Sequence, residues 1–138
     1  MKKPKTKRQL IKIADKWFSQ YIRLEAAAGR GYCQCVTCGK RLPWNKNMHA
    51  GHFIVRQWMN TRYDISNVHP QCNYCNTFLN GNYENYYPYM LDKYNQETID
   101  TLKRLSRLSP NSLDRGELEA IIDYFKDQVK TLRKKKGL

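Results

Sequence analysis

Apolar residues recur at helical spacing near both ends of the chain. The first stripe predicts an amphipathic helix over residues 6–28, capped by Thr6 and ended by Gly29-Arg30-Gly31. Its apolar members are Leu10, Ile13, Ala14, Trp17, Tyr21 and Leu24. The second stripe predicts a helix over residues 113–134, with one face formed by Leu118, Ile121, Ile122, Phe125, Val129 and Leu132. We expect both stripes to pack into the core; the alternative is that one of them forms a dimer interface.

The helical period disappears over residues 32–82, where Cys, Asn, Gly and aromatic residues dominate. The other predicted elements are a strand over residues 48–55, a short helix over 72–79, a helical segment over 83–94 interrupted by Pro88, a second over 96–105 and a loop over 109–112. The pattern predicts a mostly helical α+β protein that forms one compact unit. Its parts are a basic tail and helix (residues 1–31), a central core (32–82) and a helical extension with a basic end (83–138).

The chain is strongly basic and short of apolar residues. Of its 138 residues 41% are hydrophobic, and the formal net charge is +13 with an isoelectric point near 9.7. So small a hydrophobic fraction favours stabilisation by a metal or a partner subunit. The charge attracts polyanions, DNA or RNA above all. We expect the basic runs at residues 2–8 and 133–136 to hold backbone phosphates without reading sequence, or merely to keep the chain soluble.

The sequence predicts neither a membrane protein nor a secreted one. No apolar run approaches the roughly 20 residues that span a membrane, and the basic residues 1–5 have no apolar segment behind them. The five cysteines are an odd number, and four of them fall into two C-x-x-C pairs, a pattern that favours metal binding in a reducing compartment over a disulfide framework. We therefore expect a cytosolic protein.

Four cysteines form two C-x-x-C pairs, which are Cys35 with Cys38 and Cys72 with Cys75. Two residues between thiolates let both sulfurs reach one ion, and Gly39 permits the tight turn after the first pair. Four thiolates predict a closed, structural zinc site, against the alternative of four free buried cysteines. We expect Cys33 to take no part, since its spacing to Cys38 makes a poorer pair.

All three histidines lie between the two cysteine pairs: His49, His52 and His69. A neutral imidazole is an effective proton acceptor near physiological pH. Asn76 follows the last cysteine directly, and its side-chain oxygen is a donor that Mg²⁺ accepts. We interpret His69, beside Pro70, as a structural residue.

The order of these motifs resembles the HNH nuclease superfamily, in which a β-hairpin and a helix (the ββα-metal motif) hold one divalent cation. More closely, it is similar to the NinG/Rap recombination nucleases of lambdoid phages. The matching stretches are Cys35-Val36-Thr37-Cys38-Gly39, Ala50-Gly51-His52-Phe53, residues 62–72, Cys75-Asn76 and Gly81-Asn82. The position of Asn76 after the last cysteine is also similar to phage endonuclease VII, a resolvase of branched DNA.

The resemblance implies a treble-clef-like ββα-metal core flanked by helices. It places His52 as general base, Asn67 as the residue that holds the hairpin through backbone hydrogen bonds, and Asn76 as a ligand for catalytic Mg²⁺ or Mn²⁺. Many members of the superfamily have Asp directly before the base, where this chain has Gly51. His49 lies on the same face of the strand and is the candidate replacement ligand, which favours Mn²⁺, Co²⁺ or Zn²⁺.

Arginines flank this predicted site. Arg56 and Arg62 are candidate phosphate contacts, replacing the Lys that the family carries where this chain has Asn80. The alternative is that both are simply solvated. Asp64 is interpreted as a turn residue or an ion-pair partner of Arg62, and Asn67 as compatible with a turn as well.

Three functions are compatible with the sequence. The resemblance favours a phage-encoded, metal-dependent endonuclease in a bacterial host, acting on branched recombination DNA such as Holliday junctions or D-loops. It implies products with 5′-phosphate and 3′-hydroxyl ends, and cutting of two opposed strands suggests a homodimer. The alternatives are an HNH restriction, homing or nicking endonuclease, and a non-catalytic zinc module that only binds nucleic acid.

Overall fold

The computed structural model describes residues 2–138, which form five α-helices, four short strands and one π-helical segment. The helices are α1 (Lys7–Ala26), α2 (Met59–Arg62), α3 (Tyr83–Lys93), α4 (Gln96–Ser106) and α5 (Arg115–Lys136). The strands are β1 (Tyr32–Gln34), β2 (Arg41–Pro43), β3 (Met48–His52) and β4 (Val68–Cys72), and the π-helical segment is Tyr74–Phe78. This arrangement confirms the predicted mixture of helix and strand.

Both long helices begin at capping boxes that their sequences encode. The Thr6 hydroxyl accepts from the Gln9 backbone N–H, while the Gln9 side chain accepts from the Thr6 N–H. Asp114 and Glu117 make the same reciprocal pair at the start of α5. Each box satisfies backbone donors that a helix start otherwise leaves unpaired. The start of α5 therefore lies after Asp114 rather than at the predicted residue 113.

The predicted apolar stripes of α1 and α5 pack against each other. Phe18 and Phe125 meet edge to face with ring centroids 4.9 Å apart, a favoured aromatic geometry. Residues of α1 and α5 that are almost fully buried are Leu10, Ala14, Phe18, Leu24, Leu118 and Val129. Both helices therefore pack into the core, but the buried face of α1 includes Phe18, which was not in the predicted stripe, whereas Trp17 and Tyr21 are only partly buried.

Two antiparallel hairpins lie against α1. In the first, Cys33 pairs with Leu42. In the second, β3 pairs with β4 in a register that sets His49 opposite Gln71 and His52 opposite Val68. Every residue of β4 is buried, whereas His49 and His52 of β3 are half-buried.

The helices after the hairpins close the far side of the core. Tyr86 and Met90 of α3 are buried against Ile99 and Leu102 of α4. Pro88 lies inside α3 without ending it, so the predicted interruption is wrong. Burial of the flanking Tyr86 and Met90 offsets the hydrogen bond that proline cannot donate.

Two of the elements predicted within residues 32–82 have different bounds in the structure. The strand predicted over residues 48–55 ends at His52. The helix predicted over residues 72–79 is π-helical and starts only at Tyr74, because Cys72 is still paired in β4. Within residues 2–138 no helix is both long enough and apolar enough to cross a membrane.

Candidate metal centre and adjoining cleft

The four cysteines of the two C-x-x-C pairs converge on one point. The turn between β1 and β2 supplies Cys35 and Cys38, while the end of β4 and the π-helical segment supply Cys72 and Cys75, and their sulfur atoms all lie within 4.8 Å of one another. Sulfurs at the corners of a tetrahedron with zinc–sulfur bonds of about 2.3 Å are about 3.8 Å apart. The measured separation of the Cys38 and Cys72 sulfurs is 3.7 Å, so the donor set fits a structural Zn²⁺ ion.

Hydrogen-bond donors lie close to two of the four sulfurs. The Thr37 hydroxyl lies 3.3 Å from the Cys35 sulfur, and the Asn82 amide donates to the Cys75 sulfur at 3.5 Å. Burial opposes ionisation of Cys35, but hydrogen bonds from Thr37 and from backbone N–H groups lower its pKa to about 6. Such donors orient sulfur ligands and stabilise their negative charge.

Cys33 stands apart from this cluster, as the sequence predicts. Its side chain is almost fully buried in β1 among apolar residues that include Leu24 and Trp44. Burial raises the pKa of this thiol to about 11, so it is a neutral apolar core residue. Among residues 2–138 the four-cysteine cluster is the only group of three or more His, Cys, Asp or Glu side chains arranged to hold an ion.

A cleft of about 980 Å³ opens beside the cysteine cluster and brings together His49, His52 and Asn76. Its remaining walls come from α1 and from the segment after β3, with Asp15, Arg23 and Arg56 as the charged residues. Asp15 was not among the residues predicted to form the site. An acidic residue next to the apolar stripe of a basic helix was the available indication, but only folding brings it to the cleft.

His52 is held in one tautomer. Its Nε2 lies 2.8 Å from the backbone oxygen of Arg62, and because a carbonyl oxygen only accepts, Nε2 carries the hydrogen. Burial lowers the pKa of His52 to about 4, and the charges of Arg56 and Arg62 act in the same direction. The ring is therefore neutral at pH 7, and its Nδ1 has a free lone pair.

The Arg62 carbonyl is itself fixed by an ion pair. The Arg62 guanidinium donates from Nε and Nη2 to the two Asp15 carboxylate oxygens, at 2.9 and 2.6 Å. The Tyr63 hydroxyl donates to the same carboxylate at 2.9 Å. Asp15 thus anchors the segment whose backbone holds His52. The predicted pairing of Asp64 with Arg62 is not what the structure has, because Asp64 instead accepts from Ser66 in a tight turn.

The two arginines differ in what they can bind. The Arg62 side chain is 14% exposed and already paired, whereas that of Arg56 is 61% exposed, with its guanidinium 3.8 Å from Asp15. A phosphate in the cleft can be reached by Arg56 at little cost. Reaching it with Arg62 would break the bidentate pair with Asp15.

His49 and Asn76 are in direct contact, with Asn76 Nδ2 donating to His49 Nδ1 at 3.0 Å. Two neighbouring ligands of an octahedral cation with bonds of about 2.1 Å are also about 3.0 Å apart. A half-turn of the Asn76 amide would present its oxygen beside the imidazole nitrogen. The pair therefore fits a divalent cation as two of its ligands, with water or phosphate oxygens as the others.

Asn67 is fully buried and acts on the loop that follows β3. Its Oδ1 accepts from the Ile54 N–H at 2.8 Å, and its Nδ2 donates to the carbonyls of Ile54 and Thr61 at 3.0 and 3.1 Å. All its hydrogen bonds go to backbone, so Asn67 holds the loop and does not face the cleft.

Gly51 leaves room for a buried glutamine. A Cβ at this position would lie 1.9 Å from Gln71 Oε1. Gln71 is fully buried, and its Nε2 donates to Thr37 Oγ1 at 3.1 Å and to the Gly81 carbonyl at 2.7 Å. An Asp in place of Gly51 would therefore collide with Gln71 in its present position.

His69 does not line the cleft. It lies between two tyrosine hydroxyl groups, to which it is hydrogen-bonded. The Tyr86 hydroxyl donates to the Gly51 carbonyl at 2.7 Å and accepts from His69 Nδ1 at 2.9 Å. His69 Nε2 then accepts from the Tyr94 hydroxyl at 2.7 Å. Burial lowers the pKa of His69 to about 4. This histidine joins α3 to the hairpin, in agreement with its interpretation as structural.

The fold and the site can be described together. This is a small, basic protein of mixed helix and strand, in which a four-cysteine cluster able to hold zinc supports a hairpin and π-helical segment that line a cleft with two histidines and an asparagine.

The particular family follows from comparison with known sequences. The model of the family described as Bacteriophage Lambda NinG protein matches residues 1–135, and the chain belongs to that family. Comparison with curated proteins and with solved structures gave no match.

Proposed function

We propose that this protein is a metal-dependent DNA endonuclease of the HNH type, which hydrolyses phosphodiester bonds in the cleft beside the zinc site. The observation that carries the proposal is the state of His52. It is neutral, its Nε2 is held by the Arg62 carbonyl, and the residue lines the same cleft as the His49–Asn76 pair.

His52 acts as the general base. As the oxygen of the attacking water bonds to phosphorus, Nδ1 takes the water proton. The bond from phosphorus to the 3′ oxygen then breaks, and that oxygen takes a proton from solvent, which gives the 5′-phosphate and 3′-hydroxyl products. A bound phosphodiester adds negative charge near the ring, and this raises the His52 pKa from about 4 toward the value that suits a base at neutral pH.

Asn76 and His49 hold the catalytic cation, and Arg56 steadies the phosphate. A divalent cation, when bound, stabilises the negative charge that builds up on the phosphate oxygens. An imidazole among its ligands favours Mn²⁺ over Mg²⁺. We assign the phosphate contact to Arg56 alone, because Arg62 is occupied by Asp15.

Branched recombination DNA is the proposed substrate, and a homodimer the proposed active form. Both rest on the NinG family and on the resemblance of the motifs to phage recombination nucleases. The charge of +13 is consistent with a polyanionic substrate.

Cleavage of a labelled four-way junction and a matched linear duplex tests the proposal. Wild type, His52→Ala and the control Tyr124→Ala, altered at an exposed ring on α5, are each assayed with Mg²⁺, with Mn²⁺ and with no added divalent cation. We expect cation-dependent cutting of the junction by wild type and the control, lost in His52→Ala while binding persists.

Each other outcome changes the proposal. Equal cutting of junction and duplex keeps the nuclease and removes the preference for branched DNA. No cutting by zinc-loaded wild type with either cation replaces the nuclease with a module that only binds nucleic acid.

A further inference from the structure

Two aromatic rings are exposed on the π-helical segment that also bears Asn76. Tyr74 is 60% exposed and Phe78 70% exposed, and their rings stack with centroids 6.0 Å apart and planes tilted by 28°. Rings so far out of the core contribute little to folding. Exposed aromatic pairs are instead typical of surfaces that bind a partner.

The two rings and the cleft lie on opposite sides of the π-helical segment. Residues four apart on a helix share a face, whereas residues two apart do not. Tyr74 and Phe78 therefore lie together, with Asn76 on the other side. The cleft lining agrees with this, since it includes Asn76, Thr77 and Asn80.

The stretch of sequence that contains the two rings carries no charged residue, although the chain as a whole is very basic. No Asp, Glu, Lys or Arg occurs in residues 65–83, although the chain has 25 Lys and Arg in total. The polar neighbours are amides and hydroxyls, such as Asn73, whose Oδ1 accepts from the Thr77 hydroxyl at 2.9 Å. This stretch of the chain lacks the cations that hold phosphates, but flat rings beside amides match the faces and edges of nucleobases.

We infer that Tyr74 and Phe78 form a stacking platform for unpaired or unstacked bases of the DNA strand next to the cut. The inference rests on the proposed function and adds a source of substrate selectivity to it. A regular duplex hides its base faces, whereas a branch point or a single strand exposes them. The platform therefore selects branched or single-stranded DNA, while Arg56 and the basic ends hold phosphates of any DNA.

A second copy of the chain is a less suitable occupant. An aromatic side chain buries at most about 250 Å², and Tyr74, Phe78, Leu79 and Tyr83 are each only 42–70% exposed. Even together they fall short of the roughly 800 Å² per partner in a stable protein interface. Base stacking needs no more than the rings themselves.

Binding measured by fluorescence anisotropy tests the platform. Wild type, Tyr74→Ala/Phe78→Ala and Tyr124→Ala, which removes a ring of 57% exposure on α5, are titrated with a labelled four-way junction, a single strand and a linear duplex, without divalent cation. We expect the double variant to bind the junction and single strand about 5-fold to 150-fold more weakly. Its duplex affinity and the salt dependence of binding should match wild type, because no phosphate contact is lost.

Three results would overturn the inference: unchanged junction and single-strand affinity, an equal loss on duplex, or the same loss in Tyr124→Ala. Sedimentation of wild type and the double variant provides a fourth, since conversion of a dimer to a monomer would make the rings a self-interface. Cleavage by wild type with Mn²⁺ is scored separately. A wild type that never cuts, but whose junction binding needs the rings, would remove the proposed nuclease and leave the platform standing.

Discussion

Replacing Gly51 by alanine adds one methyl group where Gln71 leaves no space. The new Cβ would lie 1.9 Å from Gln71 Oε1 and 2.6 Å from its Cδ, and carbon contacts closer than 3 Å do not persist. Since Gln71 is fully buried, its side chain cannot move out into solvent. It can avoid the new methyl group only by displacing neighbouring residues of the hairpin.

The cost can be worked from the contacts of Gln71. Displacing its amide removes the bonds to Thr37 and Gly81, at about 1 kcal/mol each. Overpacking of the core adds about 1–3 kcal/mol. We therefore expect Gly51→Ala to lower the free energy of unfolding by about 3–5 kcal/mol, a large part of the roughly 5–15 kcal/mol of a typical domain.

Urea unfolding at fixed zinc concentration, followed by circular dichroism, measures this loss. Gly29→Ala is the matched control, because a Cβ at Gly29 meets no atom within 4 Å. Gln71→Ala removes the atoms that collide, so Gly51→Ala should cost little when Gln71 is already alanine. A Gly51→Ala protein as stable as the Gly29→Ala control, or additive effects in the double variant, would refute the reasoning.

Other perturbations test the zinc site, the buried histidines and the ion pair. Cys75→Ser should abolish zinc binding and lower the melting temperature, whereas Cys33→Ala should keep the full zinc content by elemental analysis. The pKa values of His52 and His69 are lowered to about 4 by burial, so the unfolded chain takes up their protons near pH 6.5 and the folded chain does not. Stability should be full above that pH and fall by about 1.4 kcal/mol per histidine per pH unit down to about pH 4, and His52→Gln should remove its share of the slope in urea titrations. Asp15→Ala releases the Arg62 carbonyl from its anchor, and we expect junction cleavage to fall about 10- to 100-fold, although duplex binding should strengthen because Arg56 and Arg62 lose their acidic partner; undiminished cleavage would contradict the positioning of His52 by Asp15.

Features that depend on neighbours along the chain could be predicted from the amino-acid sequence. The two long helices and their capping boxes follow from apolar spacing and from side chains within one turn, such as Thr6 with Gln9. The two C-x-x-C pairs also follow, because two intervening residues suffice to bring sulfurs to one ion. Local geometry of this kind is set by a few dihedral angles and leaves few alternatives.

Contacts between residues far apart in the sequence could not be predicted in this way, because they depend on the packing of separate elements. Asp15 on α1 reaches Arg62, 47 positions later, and nothing in the spacing of either residue predicts that contact. The π-helical form of Tyr74–Phe78, between a buried strand and the cysteine cluster, is likewise not encoded in the local spacing of its residues. Position 51 has no room for a side chain because Gln71 fills the space, although Gln71 pairs with His49 and not with Gly51 in the hairpin. These outcomes depend on how separate elements share a small, close-packed volume, which no local pattern of residues contains.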